Sequence, residues 1–408
     1  MMSSFIKEYR LVQHTPLIHF QSDESGATLR ATEVKPKLDR FIAKRKGNSI
    51  PEGWKLKNSD EKEEDKSCAL NYKMRIVAGD IETVDVGFRT DYDIFYGNMN
   101  SSNPKKGVIS PDITLTVICR IPELLETIDE CISDFFIAEN FGTMQNKGFG
   151  SYTVDNGNQP AFKTIAEVLK NQYGSRACYM CPGGRTPFKR IKTLYGIMKS
   201  GINNRGYQKS LLFIFLARKY GIKNEKAFLK RDKMAPRLEK SGLDTSPVIP
   251  APDANDYNYV RALLGVGDHI DFKNSNGQSD EEKHDKTEIK FSNKEIERLN
   301  SPVFFKVING NIYIVAKRIN SEIYDKVFEF TAGPKKDKKA PDRRAFYPNN
   351  SSASLKVPGM DVLGEEFIDD FLDFCVDCFN GKKDALDEIE KDIHNFDDIR
   401  GTVIREVK

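Results

Sequence analysis

Two amphipathic helices set among β-branched strands in the first 155 residues, and renewed strand content after residue 300, predict an α+β fold. Phe5–Gln13 opens it as a strand anchored by Ile6 and Leu11, and Pro16 interrupts it because proline brings no N–H to a ladder. The polar, glycine-bearing Gln21–Thr28 reads as a loop. Thr32–Lys44 then reads as a helix with Thr32 as its cap, Val34, Leu38, Phe41 and Ile42 on one face, and Pro36 in or close to the first turn. The charged Gly47–Lys66 is an insertion poor in apolar residues. Asn71–Ala78 and Ile113–Ile121 are strands, Pro122–Glu139 is an amphipathic helix, Phe141–Ser151 is a glycine-bearing loop, and Tyr152–Val154 is a short strand. Strand, helix, strands, helix, loop and strand make a unit of ferredoxin-like (RRM-like) type.

Beyond residue 155 the pattern turns helical, with helices expected at Ala161–Tyr173, Gln208–Tyr220 and Tyr257–Leu264. Asn274–Lys286 is a polar linker. Val303–Val307 and Asn311–Arg318 flank Asn309-Gly310, a hairpin signal. Gly333–Pro341 is a basic, proline-containing loop, and Gly364–Asn380 an acidic amphipathic helix. These segments complete a second α+β unit with helical insertions. The expected domains are 1–155 and 156–408.

The 408 residues are 39% apolar and 30% charged, as in a globular protein with a large surface. The longest apolar run, Leu211–Ala217, is far short of a membrane span. The opening residues lack the pattern of a secretory signal, so a cytoplasmic location is expected. Seven scattered cysteines argue against a disulfide framework. A net charge of +3 conceals segregation: Arg185–Lys240 holds 16 Lys/Arg against three acids, and Asp361–Asp398 holds 14 Asp/Glu against three lysines. The basic block, led by Arg185, Lys189, Arg190 and Arg205, suits a phosphate backbone. It also suits a solvated helical surface paired with the acidic tail.

Two local features carry candidate chemistry. In Asn140–Ser151, Gly142, Gly148 and Gly150 permit close backbone approach, and successive N–H groups in such loops can cradle phosphate. Gln145, Asn146 and Lys147 add polar reach, Phe149 either stacks on a base or joins the core, and Ser151 closes the loop. The plainer reading is a tight turn between helix and strand. The spacing matches neither a Walker loop nor a dinucleotide fingerprint. The second feature is Arg30, Lys35, Lys37 and Arg40 at the start of a helix, where free N–H groups favour anions. Ordinary surface charge on a capped amphipathic helix is the plainer reading of this feature alone.

Taken together, these segments resemble the RAMP superfamily of CRISPR-associated proteins. Thr15-Pro16-Leu17 after the first strand, then Leu29-Arg30-Ala31-Thr32-Glu33-Val34-Lys35, resemble the family's opening, and Gln145–Ser151 its glycine-rich loop. Ser301–Val307 and Arg261–Gly265 are similar to stretches in the second domain of the first-named RAMP subunit of the type III-B (Cmr) effector complex. Pro36 stands where the family usually has glycine, and Asn146-Lys147 replaces an arginine pair. The resemblance covers about half the chain in short pieces. It implies two ferredoxin-like domains and a non-catalytic subunit, without cofactor, that holds the 3′ side of the guide RNA, engages target RNA and contacts other Cmr subunits. Contacts would fall on phosphate and sugar.

Two alternatives stand beside it. Guide-processing nucleases of the same superfamily use an early histidine as general acid or base, and His14 and His19 lie in that region. Cys178 and Cys181, like Cys375 and Cys378, have the spacing of half a zinc site, although the second pair lies on an apolar helical stripe.

Overall fold

The computed structural model describes residues 5–19, 28–56, 69–87, 90–93, 105–203, 207–229, 253–267, 269–273, 286–334, 352–381 and 404–407. Strand β1 spans Ile6–Gln13, with Tyr9 and Leu11 buried and Glu8, Arg10 and Val12 facing outward. Helix α1 spans Ala31–Arg45 and buries Val34, Leu38, Phe41 and Ile42. Its N-cap is Arg30 and no side chain caps it, so Thr32 lies inside the first turn rather than before it. Pro36 sits in the second turn, where it removes one intrahelical bond. Next come β2 (Lys73–Ala78), β3 (Glu82–Val86), β4 (Lys105–Ile109), β5 (Ile113–Ile118), α2 (Pro122–Ala138) and β6 (Tyr152–Val154).

These strands make an antiparallel sheet in the order β2-β5-β1-β6, the arrangement of a ferredoxin-like βαββαβ unit. The ribbon β3–β4 is inserted between its second and third strands. Tyr9, Leu11, Leu115 and Val117 of the sheet share a core with Leu38 and Ile42 of α1 and with Leu124, Ile128, Phe135 and Phe136 of α2. Apolar burial of this kind is the main favourable term in such a unit.

The chain continues through α3 (Phe162–Tyr173), β7 (Cys178–Pro182), α4 (Pro187–Lys199), β8 (Ile202–Asn203), β9 (Tyr207–Gln208), α5 (Leu211–Tyr220) and α6 (Glu225–Leu229). Then follow β10 (His269–Lys273), β11 (Lys286–Ser292), β12 (Val303–Ile308), β13 (Asn311–Ala316), β14 (Val327–Pro334), β15 (Ala353–Lys356), α7 (Phe367–Phe379) and β16 (Arg405–Glu406). A second antiparallel sheet has the order β12-β13-β7-β16. Its first strand in the chain lies between the third and the fourth, as in the first sheet. The ferredoxin-like strand order is therefore present twice. The β12–β13 hairpin turns at Asn309 and Gly310, both with positive φ (50° and 73°), as a two-residue turn requires. Helix α3 packs Ile165 and Leu169 against Cys178, Phe304, Tyr313 and Val315 of this sheet.

By contacts the chain forms two compact units. The first comprises Met1–Lys192, Val303–Ala316 and Gly401–Lys408, and holds both ferredoxin-like sheets. A division at 155/156 passes through it, because α3 packs on α2 and on the second sheet together. The second unit comprises Thr193–Pro302 and Lys317–Arg400. It contains an antiparallel sheet β10-β11-β14-β15 and the α5–α7 pair, in which Phe215 meets Phe367 and Phe371. Arg261 pairs there with fully buried Glu225, whose other oxygen accepts the Val260 N–H at 2.9 Å. Lys219 of the basic block and Asp370 of the acidic helix pair at 2.5 Å, so part of the basic-against-acidic reading is realised.

Some expected elements are shorter. The helix at 208–220 begins at Leu211 because β9 takes the residues before it, the one at 257–264 is a 3-10 turn over Val260–Leu264, and the acidic helix runs Phe367–Phe379. Residues 57–66 of the charged insertion, 274–285 of the linker and 335–341 of the basic loop lie outside the described residues. Among the described residues no helix is long and apolar enough to cross a membrane.

Candidate nucleic-acid interface

The glycine loop is shaped by its own neighbours. Gly142, Met144, Gly148 and Gly150 all have positive φ. A Cβ at Gly150 would collide with the Phe141 carbonyl, and one at Gly142 would come within 2.5 Å of the Ile18 oxygen. Glycine is required at both places by close backbone approach. The amides of Phe141, Thr143 and Gly150 donate to Gly150, Ile18 and Pro16 carbonyls, and those of Lys147 and Gly148 to Met144 and Gln145 carbonyls. The Gly142 amide donates to Glu33 Oε1 at 2.7 Å, and the Ser151 amide to Thr15 Oγ1 at 2.9 Å. These seven amides are engaged within the fold and are not open to a ligand.

The loop also joins the two ferredoxin-like sheets of the first unit. Phe305 of β12 donates its N–H to the Asn146 carbonyl, Asn140 Nδ2 donates to the Phe305 carbonyl at 3.0 Å, and Ser151 Oγ to the Val307 carbonyl at 2.6 Å. Lys306 points the other way along β12 and is fully buried. Its Nζ donates to the Phe136 and Glu139 carbonyls at 2.7 Å and to that of Tyr152 at 3.3 Å, which satisfies carbonyls at the carboxyl end of α2. Burial drives its pKa well below the usual lysine value, Glu139 opposes that, and Lys37 adds to it. A lone lysine within the apolar run Val303–Ile308 is the sequence signal for this residue.

The sequence-predicted site residues separate into two groups. Phe149 takes the core role, fully buried with its ring 4.1 Å from that of Phe188. Lys35 donates to Asp39 at 2.8 Å and to the Leu70 carbonyl at 2.9 Å. Lys37 donates to the Asn140 carbonyl and to Gln145 Oε1, both at 2.6 Å, and lies 3.7 Å from Glu139 and 3.9 Å from Glu33. Burial lowers its pKa, and those two carboxylates partly restore it. Lys37 thus ties α1 to the loop. The Lys147 ammonium is 5.8 Å from the Phe305 ring centroid. Arg30 and Arg40 are exposed on α1, together with Lys44, which sequence reasoning passed over. Arg185 and Lys189 are exposed, and Arg190 donates to the Pro182 carbonyl. Arg205 lies outside the described residues.

His14 is built into the fold. Its Nδ1 accepts the Asn309 amide at 3.4 Å, and Nε2 faces Thr153 Oγ1 at 2.8 Å. Burial, with a smaller push from Lys306, lowers its pKa to about 4, so the ring is neutral at physiological pH. His19 is half-buried at the edge of the described segment.

Cys178 and Cys181 occupy β7, where residues three apart point to opposite faces. Burial pushes their thiols up to about 12 and about 11, so both rest as neutral thiols. Cys375 and Cys378 are buried on α7. Among the described residues no three His, Cys, Asp or Glu side chains are grouped to hold a metal. The geometry does not support the zinc alternative.

A doubled ferredoxin-like order joined by a glycine-rich loop is the architecture expected of RAMP-type domains. The family model of the Cmr1 N-terminal domain matches residues 5–202, and that of the Cmr1 C-terminal domain residues 207–400. The chain therefore belongs to the Cmr1 family and is a subunit of the type III-B Cmr complex. It is similar to the crystal structure of Cmr1 from Pyrococcus furiosus in its apo form, at 11% identity and a TM-score of 0.35, over 78% of this chain and 90% of that one. A comparison with curated proteins found no match.

Proposed function

We propose that this chain is a non-catalytic RNA-binding subunit of the Cmr ribonucleoprotein, holding the 3′ side of the guide RNA and engaging target RNA, in the cytoplasm. The observation that carries this reading is the exposed cationic face of α1, with Arg30, Arg40 and Lys44 outward while Lys35 and Lys37 turn inward to hold the scaffold. Arg185 and Lys189 add exposed charge in the same unit. Exposed cations bind a phosphate backbone by releasing counterions.

The outward face of the first sheet favours backbone over base recognition. An RRM stacks bases on aromatic side chains of its sheet. The outward residues here are Ile6, Glu8, Arg10 and Val12 of β1, Lys73, Arg75 and Val77 of β2, and Thr114, Thr116 and Ile118 of β5. Among the described residues of these three strands, none facing outward is aromatic. The engaged state of His14 favours binding without cleavage, because a general acid or base needs a ring nitrogen that can exchange a proton near neutral pH.

Reconstitution with the other Cmr subunits and labelled guide RNA tests the reading. Arg30→Glu with Arg40→Glu should leave assembly of the subunits intact and weaken retention of the guide's 3′ segment by tenfold or more. Retention equal to wild type would contradict it.

A further inference from the structure

The first unit contains a pocket of about 250 Å³ bounded by Lys37, Arg40, Phe41, Lys44, Glu139 and Gln172. Residues 37, 40 and 44 fall on successive turns of one face of α1, so three cations line one wall. Lys37 forms the deep end, 3.7 Å from Glu139. Arg40 and Lys44 form the exposed rim, and Lys44 also donates to the Gln172 carbonyl. The Gln172 side chain bonds Glu139 at 3.5 Å, which fixes the wall opposite α1. Glu139 and Glu33 both lie near Lys37, whose donors are spent on the Asn140 carbonyl and Gln145, so the positive charge open to a ligand is that of Arg40 and Lys44. The volume, below the roughly 300–1,000 Å³ of small-molecule sites, has room for a tetrahedral oxyanion. Arginine presents the planar fork that matches phosphate, and lysine adds a point charge.

We propose that this pocket seats one phosphate group of an RNA chain. The inference rests on the RNA-binding reading above and adds a discrete anchoring point to it. A backbone phosphodiester and a terminal phosphate have the same recognition chemistry, and the test separates them. An acidic protein segment is the competing occupant. The further exposed cations of the same unit, Arg30, Arg185 and Lys189, favour an RNA chain, whose repeated phosphates can meet several of them.

The full chain, wild type and Arg40→Gln/Lys44→Gln, is titrated with single-stranded RNA bearing hydroxyl or phosphate at either end, across a salt series. The wild type should bind several-fold to tenfold tighter at moderate salt, with a slope of log affinity against log salt steeper by about one to two. Loss confined to end-phosphorylated RNA assigns a terminal phosphate, and equal loss on all RNAs assigns a backbone phosphate. Both rim residues are exposed, so an unchanged thermal midpoint is expected, and Arg40→Gln alone supplies a second variant if it shifts. Equal affinity and slope for variant and wild type would overturn the pocket and remove Arg40 and Lys44 from the RNA-binding face of α1, while RNA binding by the wild type itself stands. Absence of RNA binding by the wild type would overturn both. A variant that binds RNA normally but no longer joins the other Cmr subunits would assign the pocket to an acidic protein surface and overturn the inference.

Discussion

His14 shows how one side chain couples the fold to pH. Its folded pKa is about 4, against about 6.5 in the unfolded chain. Above pH 6.5 the ring is neutral in both states and no penalty arises. Between pH 6.5 and 4 the unfolded chain takes a proton that the native ring refuses, so stability falls with pH, by an amount on the order of 3 kcal/mol. Urea midpoints at pH 7 and pH 4 should move less in His14→Gln than in wild type, and an identical pH response in both would refute this. At Gly150 the expected effect has a steric origin. Gly150→Ala combines a positive φ with a clash against the Phe141 carbonyl and should cost about 2 kcal/mol or more, read as a lower denaturation midpoint.

At the scale of elements, β12 and the glycine loop form one joint. Lys306→Met would leave the carbonyls of Phe136, Glu139 and Tyr152 without their side-chain donor and should destabilise by about 2–4 kcal/mol. Hydrogen exchange at the end of α2 and at β6 should speed up in that variant, whereas unchanged protection would show that these bonds contribute little. The first ferredoxin-like unit was legible because its apolar periods are strong: Leu124, Ile128, Ile132 and Phe135 repeat at helical spacing, and Ile113, Leu115 and Val117 alternate. The second sheet was only partly legible. The β12–β13 hairpin announced itself through Asn309-Gly310, but β7 reads Cys178-Tyr179-Met180-Cys181, a metal-like spacing, and pairs with strands more than a hundred residues away. The ribbon β3–β4 gave no comparable pattern. On α1 the sequence marked the cations but not their directions. Lys37 follows buried Val34 by three residues and precedes buried Leu38, which sets it at the margin of the apolar stripe, while Arg40 and Lys44 face out.

For the whole molecule, the Cmr1-family match covers both halves of the chain, so both belong to a subunit of the Cmr complex. Binding by exposed cations predicts a strong dependence on ionic strength, and the lack of outward aromatics on the first sheet predicts weak dependence on RNA sequence. Affinities for unstructured guide-length RNAs of differing sequence should agree within a few-fold at one salt concentration, and a preference of a hundredfold would speak for base readout instead. The central claim is binding without cleavage. Its most direct test is incubation of the purified chain with labelled guide-repeat RNA, with and without EDTA, read for retention and for cleavage over a salt series. The account predicts intact RNA, retained at low salt and released as salt rises. Discrete cleavage that persists in EDTA and disappears in His14→Ala or His19→Ala would contradict it and make the chain a processing nuclease.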